Sequence, residues 1–133
     1  MMKLSIINSI RTNNFEDDRL MEKIAGLWKE ASGRLANQGC IAYGLYHEYE
    51  SNYKGDYTLS IALEDNDREP YLEIPKNSRY EIFHVASTEQ QGMINTWKEI
   101  WRQEETGTLE RAYTFDFEKY YPNGKIEVYI AIK

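Results

Sequence analysis

Glu118 sits in an alternating stretch, Tyr113 to Tyr120, that reads as a strand. Tyr113, Phe115 and Phe117 share one face; Thr114, Asp116, Glu118 and Tyr120 share the other. If the Phe face packs on helices, Glu118 faces either bulk water or a groove. An arbitrary glutamate belongs in water. Glu118 is singled out by its company: Tyr129 on the next stretch has the same kind of alternate parity, between Val128 and Ile130. A carboxylate beside several rings is suited to a lipophilic cation, through charge pairing and cation–π contact. Trp97 and Trp101 lie four apart and share one helix face. One indole is enough for a small core, so the other is free to line a cleft.

Tyr46, Tyr57, Tyr80 and Phe83 are further wall candidates, each equally suited to ordinary packing. The ligand-binding set is Glu118, Trp97, Trp101, Tyr46, Phe83, Tyr113 and Tyr129. Were the chain an enzyme, Glu118 would be the general base and the Tyr46 hydroxyl would hold substrate or water. Glu50 aligns with Glu118 in an internal repeat and reads as a surface charge.

Other chemistries find no residues. There is no Gly-rich phosphate loop and no nucleophile elbow. His47 and His84 are 37 positions apart and, with one cysteine, make no metal-ligand spacing. Cys40 reads as a small buried hydrophobe. No metal or cofactor is expected. A net charge of −6 and the lack of a basic stripe weigh against nucleic acid. A lone cysteine, no apolar leader and no membrane span point to the cytoplasm.

The elements that must hold these groups occur twice. Trp28-Lys29-Glu30 recurs as Trp97-Lys98-Glu99, 69 positions on. The run opened by Gly55 recurs, again 69 on, as the run opened by Gly124. Tyr49-Glu50 matches Phe117-Glu118 at 68. Each unit reads as strand, helix and hairpin. In the first, these are Leu4–Ile10, a helix carrying Leu20, Ile24, Leu27, Trp28, Ala31 and Leu35, then Ile41–Glu50 and Tyr57–Leu63. Asn13 and Asn14 can cap, and Gly39 ends the helix. Tyr71–Ile74, bracketed by prolines, is an edge or entry segment. In the second unit, Tyr80–Val85 is followed by a helix with Met93, Trp97, Ile100, Trp101 and Glu104 inward. Thr88 and Gln91 offer it a capping box and Gly107 ends it. Tyr113–Tyr120 and Ile126–Ile132 close the chain. One α+β domain over residues 1–133 is expected, with units of about 1–66 and 70–133. Each would be β-α-β-β with one long helix, the pair related by a pseudo-twofold axis in antiparallel sheets, with a cleft on that axis.

The order of these residues resembles the GyrI-like, AraC-type effector-binding domains. Ile10-Arg11-Thr12-Asn13-Asn14, Lys23-Ile24, Leu27-Trp28 and Tyr43-Gly44 with Tyr57 match the first half. Ile74-Pro75, Tyr80, Phe83, Trp97, Trp101, Phe117-Glu118, Tyr120 and Glu127–Ile132 match the second. The resemblance implies a groove between the halves for amphipathic, often cationic, organic compounds. Its glutamate would be Glu118 and its helix tryptophan Trp97. It implies a stand-alone member of a family often fused to a DNA-binding segment, with a protein partner such as a gyrase, or hydrolysis of strained rings, as rival roles. Asn8 departs from the family pattern, where glycine is common, so the end of the first strand is expected to differ.

Overall fold

A computed structural model describes residues 2–35, 41–52, 54–64, 71–75, 78–86, 89 and 91–133. Among these residues nine elements follow one another: β1 (Met2–Thr12), α1 (Leu20–Leu35), β2 (Ala42–His47), β3 (Tyr57–Leu63), β4 (Tyr71–Ile74), β5 (Arg79–His84), α2 (Gly92–Glu105), β6 (Asp116–Tyr120) and β7 (Ile126–Ile132). The seven strands form one curled sheet in the order β4-β1-β3-β2-β6-β7-β5. Every neighbouring pair is antiparallel. Without the short edge strand β4, the order β1-β3-β2 is mirrored by β5-β7-β6, and the two halves join at β2 and β6.

Both helices lie on one face of the sheet. Leu27 and Ala31 of α1 pack on Tyr57, Leu59 and Ile61 of β3. Ile100 of α2 packs on Val128 and Ile130 of β7. Each helix covers the outer strands of its own half. The central strands β2 and β6 lie between these two halves and position the site. The opposite face folds inward on itself, burying Leu4, Tyr43, Leu45, Ala62, Ile74 and Phe117. This is why all seven β3 residues are buried, on both faces.

Local chemistry sets the boundaries. Asn13 does not cap α1 directly. Its Oδ1 accepts the N–H groups of Phe15 and Glu16 at 2.8 and 2.9 Å, tying a turn ahead of the helix. Asp17 accepts the Arg19 N–H at 2.9 Å where the helix begins. Gly92 opens α2 because a Cβ there would lie 2.1 Å from the Ala86 carbonyl oxygen. Gln91 holds the N-cap position without a side-chain capping bond, and Thr88 lies outside the described residues. Gly107 follows the last turn, with the Thr108 N–H returned to the Gln103 carbonyl at 2.9 Å. Gly39, Cys40 and the segment joining the units also lie outside the described residues.

Four expectations are corrected. The strand expected over Tyr113–Tyr120 starts only at Asp116, because Tyr113 has φ +56° and turns the chain. The strand expected over Ile41–Glu50 stops at His47, where Glu48 has φ +53°. Phe117 faces away from the helices and Glu118 faces them, the reverse of the expected packing. Asn8 does not end β1: it lies at a bulge in mid-strand and donates to the Leu27 carbonyl of α1 at 3.1 Å.

The register identifies positional counterparts. Leu59 and Val128 are 69 apart; Leu59 pairs with Tyr46, and Val128 with Glu118. Tyr46, not Glu50, therefore occupies the place equivalent to Glu118. Across the central seam Tyr46 pairs with Asp116 and Gly44 with Glu118, as a twofold exchange requires. Glu50 is exposed in the β2–β3 hairpin.

Asp116, with no exposed surface, anchors this seam. Its carboxylate accepts from Arg111 Nη2 at 2.8 Å, from the Ala131 N–H at 2.7 Å and from the Tyr49 hydroxyl. Asp116→Ala would leave the buried Arg111 guanidinium without this partner, and urea unfolding should show a loss of about 3–5 kcal/mol. A loss below about 1 kcal/mol would show that the pair is not structural.

Candidate functional site

At the seam where β2 pairs with β6, between the two helix-covered halves, lies Glu118. Its carboxylate is only 4% exposed. Tyr46 Oη and Trp97 Nε1 each donate to Oε2 at 2.8 Å. Tyr120 Oη donates to Oε1 at 2.7 Å. A carboxylate has roughly four acceptor positions. Oε2 is filled and one position on Oε1 is not taken by any described residue.

Rings from both halves surround it. Trp97 of α2 meets Tyr46 edge-on at 5.1 Å. Trp28 of α1, at the position equivalent to Trp97, meets Tyr120 edge-on at 5.0 Å. Tyr57 stands 5.5 Å from Tyr46, and Trp101 6.4 Å from Trp97. Trp28, Tyr46, Trp97, Trp101 and Tyr120 are all half-buried, so the rings reach solvent while the acid between them barely does. Gly44 makes the acid's place possible. A Cβ there would stand 3.0 Å from Oε1 and 3.4 Å from Trp28 Cζ2.

Burial raises the Glu118 pKa above the ordinary carboxylate range, and the bonds from Tyr120, Tyr46 and Trp97 oppose the rise without cancelling it. Burial and the Glu118 charge together hold the Tyr46 and Tyr120 hydroxyls far above an ordinary phenol, so both remain donors at neutral pH. The site is thus a desolvated acid fully furnished on one oxygen. A cation would restore what its burial removed.

Of the expected residues, Trp97 and Tyr46 touch Glu118, and Trp101 extends the row from Trp97. Phe83 shares the face but packs with the α2 cluster, with Val128 between it and Glu118. Tyr113 belongs elsewhere: it stands edge-on to Tyr49, lies under Arg111 at 4.4 Å and donates to Glu104. Tyr129 is on the opposite face, stacked on Phe117 at 4.8 Å with the Lys119 ammonium 5.5 Å away. Tyr80 is there too, edge-on to Phe117. Parity misplaced Tyr129 because it pairs with Phe117 rather than Glu118. Sequence reasoning missed Trp28 and Gly44 as site residues, and placed Tyr120 on the Glu118 face without counting it in the ligand-binding set. The repeated Trp-Lys-Glu triplet was the signal for Trp28; nothing local marks Gly44.

The second carboxylate at the seam is Asp116, not Glu50, and Arg111 occupies it. Among the described residues no group of three or more His, Cys, Asp or Glu could hold a metal ion. His47 is buried against Ser60 Oγ at 2.8 Å, and His84 is largely exposed beside Glu127. A separate polar hollow of about 350 Å³ lies by Arg11, Asn13, Glu16, Asp17, Lys23 and Asp56. Within it Lys23 sits 2.6 Å from Asp17 and, with Thr12 and the Arg19 N–H, holds that carboxyl down at about 2. No helix among the described residues is long and apolar enough to cross a membrane.

Two helices on one face of a curled, seven-stranded antiparallel sheet define this as a small α+β domain. Over residues 6–132 the chain matches the family of integron-associated effector binding proteins, and it belongs to that family. This is a GyrI-like family, distinct from the AraC-type domains that the sequence suggested. The fold matches the crystal structure of an integron cassette protein from the mobile metagenome of Vibrio cholerae. The TM-score is 0.79 at 24% identity, covering 99% of this chain and 90% of that one. No curated protein matches.

Two outcomes follow from this geometry. Between the unfolded carboxyl pKa and the raised folded one, the native state holds the extra proton, so stability falls as pH rises through that window. Denaturant unfolding from pH 4 upward should show this decline, and Glu118→Gln should remove it; an unchanged slope would mean the acid is not strained. Gly44→Ala should displace Oε1 and cost about 1–3 kcal/mol by overpacking. Retained stability and unshifted tryptophan emission would contradict the clearance role.

Proposed function

We propose that this domain binds an amphipathic organic cation, its charge at Glu118 and its flat apolar part against Trp97 and Trp28. The observation that carries the reading is a nearly buried acid with one oxygen saturated by Tyr46 and Trp97, walled by half-exposed rings. Such an acid is costly to keep charged unless a cation meets it. The family's description as effector binding supports a small-molecule ligand. An effector sensor or sequestering protein in the cytoplasm fits the acidic balance and the single cysteine.

The test is a titration by tryptophan fluorescence with a quaternary aromatic cation and its uncharged analogue, against wild type and Glu118→Gln. The cation should lose about tenfold or more in affinity and the neutral compound little. Equal losses would remove the charge pairing.

One feature favours a second reading, hydrolysis of a strained electrophile. A raised carboxyl pKa suits a general base, and the Tyr46 hydroxyl lies at 2.8 Å to hold the reacting oxygen. Turnover abolished in Glu118→Gln would support it; a flat progress curve across strained epoxides and lactones would reject it.

A further inference from the structure

The row of rings does not stop at Trp101. Phe15, in the turn between β1 and α1, stands 5.7 Å from Trp101 of α2. Rings therefore follow one another from Tyr46 to Trp97 at 5.1 Å, to Trp101 at 6.4 Å and to Phe15 at 5.7 Å. Phe15 is 57% exposed, an unfavourable state for so large an apolar side chain. Its backbone is nevertheless held in place. Asn13, 5% exposed, accepts the Phe15 N–H and donates to the Lys54 carbonyl and to Asp56 Oδ1, both at 3.0 Å. Thr12 Oγ1 donates to Asp17 at 2.7 Å, and Asp17 takes Lys23 of α1 at 2.6 Å. A rigid turn thus carries an exposed ring from the α1 side across to a tryptophan of α2.

We infer that Phe15 is the end wall of the groove and a specificity residue, selecting cations whose aromatic body spans several rings. This rests on the cation reading above and adds the dimension that reading lacks. A ligand with its charge at Glu118 has its body along Trp97 and Trp101, and only a body of about three fused rings reaches Phe15. A single-ring cation is served by Trp97 alone. Stacking on one more ring is a modest gain, about five- to tenfold in affinity.

The experiment is calorimetric titration of wild type, Phe15→Ala, Phe15→Tyr and Glu118→Gln. The probes are N-methylpyridinium and N-methylacridinium, one ring and three, both permanently charged, with uncharged acridine at pH 8 as control. Phe15→Ala should weaken N-methylacridinium about five- to tenfold and leave N-methylpyridinium within about twofold. Phe15→Tyr, which keeps the ring, should restore the three-ring affinity, and Glu118→Gln should weaken both cations. Equal effects of Phe15→Ala on the two cations, or none on either, overturn the end wall. If the cations bind no better than acridine, the charge reading fails by itself, and acridine's response to Phe15→Ala still decides the wall. Absence of binding by all three probes overturns both.

Discussion

The architecture depends on keeping one carboxylate out of water at the seam of a sheet. Glu118 is held there by three donors from three different elements: β2 gives Tyr46, α2 gives Trp97 and β6 itself gives Tyr120. Hydrogen bonds to a charged acceptor are among the stronger ones, and the three together offset part of the desolvation of the carboxylate. The offset is incomplete, which leaves the acid readier to hold a proton than a surface glutamate. This residual strain is the usable quantity: a partner that supplies positive charge recovers it.

The same seam carries a second acid that is fully neutralised. Asp116, two residues before Glu118 on the same face of β6, is closed by Arg111, Tyr49 and the Ala131 N–H. Gly44 occupies the position equivalent to Asp116, and Tyr46 that equivalent to Glu118. Two halves of like shape therefore contribute unlike chemistry. One half supplies both acids, and the other supplies the hydroxyl and the missing side chain that make room for one of them. A strictly symmetric seam would bring four carboxylates together, which mutual repulsion forbids.

Much of the fold was legible because its signals are periodic. The helical stripe ending in Leu27, Trp28 and Ala31, the run Tyr57–Leu63 and the two-proline edge segment each carry a pattern that survives without tertiary context. Glu118, Trp97 and Tyr46 were legible as chemistry among rings. Alternation does not say which face of a strand the helices choose, so Phe117 and Glu118 were assigned the wrong way round, and Tyr129 went with them. Tyr113 and Glu48 leave their strands through positive φ, which no tyrosine or glutamate advertises. The Glu50 match failed because the β2–β3 hairpin is longer than the β6–β7 one, so counting along the chain loses the register. The Arg111–Asp116 pair and the role of Gly44 arise from contacts between distant segments and leave no local pattern.

The most direct measurement is a pH titration of the Glu118 carboxyl by carbon-detected NMR, without and with a saturating aromatic cation. The account predicts a midpoint above the ordinary glutamate range in the free protein and a clear fall when the cation is bound. An ordinary midpoint, or one that the cation leaves unmoved, would contradict it.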